Sequence, residues 1–465
     1  MKRLLSLFLV CTVLLAVVLT CAACNKDDDG AGFYGSEGTK ALAPAGVEAA
    51  KIPAVSGDPK AVKIGVILIG DETEGYSKAH MDGITAAAAA LGMDESQIIW
   101  KKKVNESENV TVAAEQLIAD GCTYIFSNSY GHQSYMQELA NKHPETHFVA
   151  MTGDTAASAG LKNFSNAFTN VYESRYVSGV VAGMKLKELV DAGKLTDANY
   201  DGDNIKIGYV GAFTFAEVIS GYTAFYLGVK SVVENVVMDV QFTDSWWDFD
   251  GEKAAAASLI NNGCVIVGQH ADSAGAPTAA QEANAAGKVA YSVGYNVSML
   301  DVAPDAALTS ATNVWQAYYK YALSTALKGG NITTNWAAGY ADGAVAITDL
   351  GKNCAPGTKE KVDEVIAALK NGTLHVFDTS KFTVDGKTVT WCYGTDSDGD
   401  FTYDKNNVIA DGYYHESYLQ SAPSFLLQID GINWVNKPQG NGSGFFGSDG
   451  TKELAPAGVE AAKAS

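Results

Sequence analysis

The chain is short of positive charge, of cysteine and of long apolar runs. Its 465 residues hold 33 Lys and Arg against 53 Asp and Glu, a formal net charge of -20. A nucleic-acid partner needs a basic stripe, and this composition excludes one. The acidity describes a self-repelling protein and says nothing of fold. Seven cysteines are present; Cys11, Cys21 and Cys24 fall in the N-terminal segment, and Cys122, Cys264, Cys354 and Cys392 show no CxxC or other paired-ligand spacing, so no metal site is expected. Beyond the N-terminal segment no apolar stretch is long enough to span a bilayer. Enzyme signatures are missing too. Gly386-Lys-Thr lacks the upstream glycine of a phosphate loop, and there is no G-x-S-x-G elbow. His143-Pro-Glu-Thr-His147 lacks the adjacent Glu of a zinc helix, and Pro144 breaks the helix it would need. These absences point to a binding protein without a cofactor, not to an enzyme.

The N-terminus is what a secretory signal needs. Lys2 and Arg3 precede a run from Leu4 to Leu19 that is apolar apart from Ser6, Cys11 and Thr12. Ala22 and Ala23 before Cys24 resemble a bacterial lipobox, with Cys21 standing where Leu is usual. Residues 1–24 are therefore expected to be a lipoprotein signal and Cys24 the lipidated residue. The body would then sit outside the cytoplasmic membrane, held at its outer face by lipid. Residues 25–62 read as a tether. Within it, 32–51 return almost unchanged at 444–463, differing only at Tyr34/Phe446, Glu37/Asp449 and Ala41/Glu453. Units so far apart do not make a solenoid. Either they are duplicated surface tails or they are two matching docking elements.

From Lys63 the pattern is α/β. Lys63 to Gly70 is a near-continuous apolar strand, as a parallel sheet requires. Helical and extended stretches alternate to strand His147–Thr152, then resume with helix Tyr172–Leu189 and strand Ile205–Val210. Later elements include strands Lys288–Gly294 and Ala307–Ser310, helix Val314–Leu327 and a helix over Ala344–Leu350. Two stretches match. Leu117-Ile-Ala-Asp-Gly-Cys-Thr-Tyr-Ile-Phe-Ser-Asn128 parallels Leu259-Ile-Asn-Asn-Gly-Cys-Val-Ile-Val-Gly-Gln269. In each a helix stops at Gly, Cys begins a strand, and a polar loop follows. The loops are Asn128-Ser-Tyr-Gly-His132 and Gln269-His-Ala-Asp-Ser273. Polar loops at the carboxyl ends of buried strands are where open α/β sheets bind ligands. Two lobes facing across a cleft follow, with 63–170 plus about 295–335 in the first and 171–294 plus about 336–378 in the second.

The remainder differs. A helix over Lys361–Asn371 precedes an extension, 379–443, and the second repeat, 444–465. Phe382–Trp391 has a hairpin pattern around Asp385-Gly386. Asp396-Ser-Asp-Gly-Asp400 reads as an acidic turn, not an EF-hand, because Gly399 is misplaced and position twelve is not acidic. Cys122 and Cys264 begin apolar strands and read as buried thiols. Whether Cys354 and Cys392 pair is left open by the sequence.

Several pieces resemble the basic membrane protein family, the substrate-binding lipoproteins of ABC importers that include purine nucleoside receptors. They are Gly75-Tyr-Ser-Lys-Ala-His-Met-Asp-Gly83, Tyr172-Glu-Ser-Arg-Tyr-Val-Ser-Gly-Val-Val-Ala-Gly183, Ile207-Gly-Tyr-Val-Gly-Ala212, Ser245-Trp-Trp-Asp248, Gly268-Gln-His-Ala-Asp-Ser273 and Gly294-Tyr-Asn296. The resemblance covers roughly Lys63 to Phe377. It implies a type I periplasmic-binding-protein fold, two doubly wound, Rossmann-like lobes joined by a hinge, and an ABC permease as partner. It also implies that a flat purine is clamped between Tyr76 and either Trp246 or Trp247. Asn128, Gln269 or Asp272 would read the purine edge, unless Asp272 and His270 brace their loop instead. Asp71 matches an early ribose-binding carboxylate, whereas Asn296 stands where a later one is frequent, so nucleoside and free base both remain open. Ser77 and Tyr130, in the same loops, complete the candidate set.

Overall fold

The computed structural model describes residues 58, 60, 62–390, 392, 408–417 and 420–436. Cys24, both terminal repeats and the acidic turn at Asp396–Asp400 lie outside these residues.

The first sheet is built from β1 (Ile64–Ile67), β2 (Ile98–Lys101), β3 (Tyr124–Ser127), β4 (His147–Met151), β5 (Phe164–Thr169) and β12 (Asn335–Ala338). Their order across the sheet is β2-β1-β3-β4-β5-β12, and every pairing is parallel. The residues of β1, β3, β4 and β5 are buried throughout; β1, β3 and β4 are accordingly mostly apolar without alternation, whereas β5 buries Ser165, Asn166 and Thr169 with hydrogen-bond partners. The second sheet repeats the winding. Its strands β7 (Asn204–Gly211), β8 (Val236–Phe242), β9 (Ile266–Gln269), β10 (Tyr291–Tyr295), β11 (Ala307–Asn313) and β13 (Val345–Ile347) run β8-β7-β9-β10-β11-β13. A short β6 (Tyr200–Asp201) pairs antiparallel to β7.

The recurrence reaches the helix ends. Helix α2 (Asn109–Ala119) stops where Gly121 N–H donates to Ile118 and Cys122 N–H to Leu117. Helix α7 (Phe249–Asn261) stops with Gly263 donating to Ile260 and Cys264 to Leu259. Both are Schellman caps, and both need a residue at positive φ, +88° at Gly121 and +100° at Gly263. The sequence match therefore reflects one structural unit used twice.

The chain passes between the sheets at residues 169–171, 313–315 and 338–345. Helix α5 (Val171–Asp191) leaves β5 and joins the core of the second lobe. Helix α9 (Trp315–Leu327) returns and packs with α1 (Gly75–Ala90) in the first. Strands β10 and β11 thus belong to the second sheet, so the boundary expected near residue 295 falls after Asn313. The reason is that β11 pairs parallel to β10 within the second sheet, so the chain crosses only after β11 ends. The helix expected over Ala344–Leu350 is instead strand β13, paired antiparallel to β11. An Ala- and Val-rich run of this length fits either state, and an open sheet edge decided it.

Helix α10 (Thr358–Lys370) is followed by the extension. At Asp385-Gly386 a tight turn forms, with both residues at positive φ and a single Val384–Lys387 bridge. Further on are β14 (Ile409–Ala410), β15 (Tyr413–Tyr414) and β16 (Ile432–Trp434), the last lying parallel beside β8. Cys354 and Cys392 are not disulfide-bonded.

Candidate ligand-binding site

Loops at the carboxyl ends of β1, β3, β7, β8 and β9 converge on a cavity of about 520 Å³ between the lobes. Geometry of this kind follows from the winding, because that edge carries the strand-to-helix loops of both sheets.

In the first lobe, Glu74 caps α1. Its carboxylate accepts from Tyr76 N at 2.7 Å and Ser77 N at 2.8 Å, which fixes where the Tyr76 ring leaves the helix. Tyr76 lies edge-on to His80 (4.6 Å between centroids) and to Trp315 (6.2 Å), and His80 stacks on Trp315. One wall of the cavity is therefore a ring held from behind by rings. Burial pushes the Tyr76 phenol well above its ordinary pKa, so its hydroxyl keeps its proton. Asn128 spans two loops, accepting from Ile69 N at 2.9 Å and donating to Ser77 Oγ at 3.0 Å. Tyr130 donates to Asp154 at 2.9 Å. Lys103 and Thr73 bind Asp71 and hold its carboxyl well below the usual carboxylate range.

The second lobe supplies the facing wall. Trp246 stacks on Phe215, with centroids 5.8 Å apart and planes 11° apart, and lies edge-on to Phe213 at 5.0 Å. Trp247 is half exposed at the mouth. His270 contacts Glu217 at 3.1 Å. Burial, with Arg175 nearby, lowers the His270 pKa, so the neutral ring donates from Nε2 and the Glu217 carboxylate accepts. Arg175 lies over Tyr295 at 3.6 Å and donates to the Gln269 carbonyl, tying α5 to the β9 loop. Burial raises the Asp272 pKa well above its ordinary value, and the carboxyls of Glu74 and Glu252 add to the effect.

Seven of the residues singled out from sequence border the cavity together: Asp71, Tyr76, Asn128, Tyr130, Trp246, Trp247 and Asp272. Three stand behind its lining. Ser77 is fully buried and serves Gly70 and Asn128. Gln269 folds back on its own loop, donating to the carbonyls of Ala271 at 2.6 Å and Ser273 at 2.8 Å. Asn296 donates to Asp272 at 2.9 Å. Sequence reasoning missed Phe213, Glu217 and Tyr295 in the lining and Phe215 behind it. Phe213-Thr-Phe215 follows β7 directly, so the rule that found the Gln269 loop would have found it as well.

The lining is apolar and acidic together. Asp71, Glu74, Glu217, Asp244 and Asp272 face Lys103, which is already bound to Asp71. Such a lining offers aromatic faces for stacking and oxygen atoms that can accept hydrogen bonds.

The model of the ABC transporter substrate-binding protein PnrA-like family matches residues 61–377. The chain belongs to this family. It is 29% identical over 317 residues to a purine-binding protein of Brucella abortus, covering 68% of this chain and 83% of that one. It is 26% identical over 308 residues to a putative ABC transporter glucose-binding protein of Haloferax volcanii, covering 66% and 72%. An ABC transporter solute-binding protein structure from Aeropyrum pernix superposes with TM-score 0.56 at 15% identity, covering 70% of this chain and 94% of that chain. The fold is thus the type I arrangement the sequence suggested. The family is a class of solute-binding proteins of ABC transporters and not an enzyme class.

Proposed function

We propose that this solute-binding protein captures a purine nucleoside or purine base between its lobes and passes it to an ABC permease. The observation that carries the reading is the pairing of Tyr76 and Trp246 as opposed walls of one cavity. A planar heterocycle gains stacking on both faces, roughly 1–3 kcal/mol for each stacked base. Asp272, Glu217 and Asp244 supply acceptors for ring or ribose donors, and Asn128 lies at the slot's edge. The purine-binding relative supports the same ligand class. Lipidation at Cys24 would hold the protein at the outer face of the membrane, beside its permease; the lipobox-like flank supports this part.

The glucose-binding relative motivates a competing reading, since a Trp face also stacks a pyranose. Calorimetric titration with adenosine, inosine, adenine and glucose separates the two. Micromolar or tighter binding of a purine, with no heat from glucose, is expected. Glucose binding that adenosine does not displace, or no purine binding at all, overturns the proposal.

A further inference from the structure

The extension beyond the family-matched residues 61–377 has no role in the reading above, yet part of it reaches the cleft. From Phe425 onward it is core of the second lobe. Phe425, Leu427, Ile429 and Ile432 are all nearly or fully buried there, and Phe425 stacks on Phe377 with centroids 4.3 Å apart. Polar anchors add to this. Tyr222 donates to Gln428 at 2.9 Å, Trp434 donates to Tyr222 at 3.0 Å, and β16 extends the sheet beside β8. This end of the extension cannot move apart from the second lobe.

Immediately before it, Gln420–Pro423 leaves that lobe and meets the other. Ser421 is fully buried, and its hydroxyl donates to the Gly153 carbonyl, just past β4 of the first lobe, at 3.2 Å. Gln420, Ala422 and Pro423 share a small cavity, about 20 Å³, with Tyr130, Thr152 and Asp154 on one side and Phe215, Glu217 and Trp246 on the other. Four of those residues, Tyr130, Thr152, Glu217 and Trp246, also line the main cavity. Across this flank the Tyr130 and Phe215 rings approach to 5.3 Å.

We propose that Gln420–Pro423 is a strap that joins the two lobes along one flank of the cleft and holds the Tyr130–Phe215–Trp246 aromatic wall in position from behind. The strap is a positioning segment, acting on a ligand through those rings. Because it is built into one lobe and hydrogen-bonded to the other, opening on this flank must break the Ser421–Gly153 bond and part the rings. Loosening the strap should therefore let the cleft open, and a ligand leave, more readily. The part of the inference that concerns release rests on the proposed ligand class; the part that concerns the tie between lobes does not.

The test uses the full chain carrying Ser421→Ala, with Ser421→Thr as the variant that keeps the hydroxyl and Pro423→Gly as a second way to loosen the strap. Hydrogen exchange without ligand should rise about tenfold at amides 153–154 and 420–424 in Ser421→Ala and Pro423→Gly, and stay at wild-type values in Ser421→Thr. Adenosine should dissociate several-fold faster from the loosened variants, with association little changed. Unchanged exchange at residues 153–154 overturns the strap. So does a lowered melting temperature with unchanged exchange and dissociation, the mark of a merely structural segment. If the wild type binds neither a purine nucleoside nor a purine base, the proposed function falls and the strap is judged on exchange alone; if it binds a purine other than adenosine, that purine replaces adenosine in the dissociation measurement.

Discussion

Asn296 Nδ2 donates to Asp272 Oδ1 at 2.9 Å, and Asn313 Nδ2 in turn donates to Asn296 Oδ1 at 2.8 Å. Asn313 ends β11, where the chain crosses to the first lobe, and its amide also donates to Tyr295 at 3.1 Å. The cleft carboxyl is therefore coupled by amide hydrogen bonds to a crossing between the lobes.

Asn296→Asp puts a second carboxyl against the first. Its backbone, at φ +61°, suits Asp nearly as well as Asn, so the change acts through the added charge and the lost Nδ2 donor and not through the backbone. Two carboxyls at hydrogen-bond distance cannot both ionise, and the pair would retain one proton to higher pH. Affinity for the best purine ligand should fall about tenfold at pH 8, where the pair carries more negative charge, and lie closer to the wild-type value at pH 5, where it carries less. Titration calorimetry at both pH values checks this; equal affinities at pH 8 for wild type and variant would remove Asp272 from the binding surface.

The aromatic walls give a graded expectation. Tyr76→Ala and Trp246→Ala each remove one stacking face and should weaken purine binding about 10- to 100-fold, corresponding to roughly 1–3 kcal/mol. Trp247→Ala, at the half-exposed mouth, should change affinity less than about threefold on the same conversion. Fluorescence titration of the three variants is sufficient. A larger loss at Trp247 than at Trp246 would reverse the assignment of the clamp.

Where helices α5 and α6 (Ala216–Lys230) cross, their backbones touch. A Cβ on Gly179 would meet the Phe225 carbonyl and come 3.1 Å from Gly228 Cα. Neither atom can swing aside, since both belong to the helix backbone. Gly179→Ala should therefore cost at least about 2–3 kcal/mol, the upper part of the range for overpacked cores. Urea unfolding would read it; a loss under 0.5 kcal/mol, well below that range, would mean that the helices separate at little cost.

Much of the architecture was legible because each winding carries its own strong local signals. Apolar strands without polar alternation announced parallel sheets, and the paired Gly-Cys turns announced two copies of one unit. The lobe boundary was not legible, because β11 is a short Ala/Thr/Ser run whose partner strand is fixed by topology alone. Strand β12, Asn335-Trp-Ala-Ala338, was missed for the same reason. At the site, spacing after strands located Asn128, Tyr130 and Asp272. It did not separate side chains that border the cavity from Ser77, Gln269 and Asn296, which hold up their neighbours. That distinction depends on rotamers and hydrogen bonds that residue order does not encode. The extension gave no pattern linking Ser421 to Gly153, which are far apart in the chain and meet only in three dimensions.

Stability should fall as pH rises from about 6.5 to 8.5, where buried carboxyls titrate. Burial pushes Glu416 up to about 8 and both Glu173 and Glu252 up to about 7, against an ordinary value of 4.5. A raised carboxyl holds its proton in the folded state after the unfolded chain has released it. The stabilisation is complete below pH 4.5 and is lost as pH rises through the folded value. Buried histidines act in the opposite sense below their ordinary 6.5: His147 is lowered to about 4, and His80 and His270 are lowered too, so acid costs stability there. Above 6.5 that opposing effect is spent, and the carboxyls set the slope. Between pH 6.5 and 8, Glu416 alone accounts for about 2 kcal/mol, at roughly 1.4 kcal/mol for each pH unit. Its carboxyl accepts from Ser424 N at 3.0 Å, a bond that Gln preserves. Glu416→Gln should then make the melting temperature fall less between pH 6.5 and 8 than it does in the wild type. Calorimetric melting of wild type and variant at pH 5, 6.5 and 8 tests this, and a wild-type melting temperature that keeps climbing from 6.5 to 8 would contradict it.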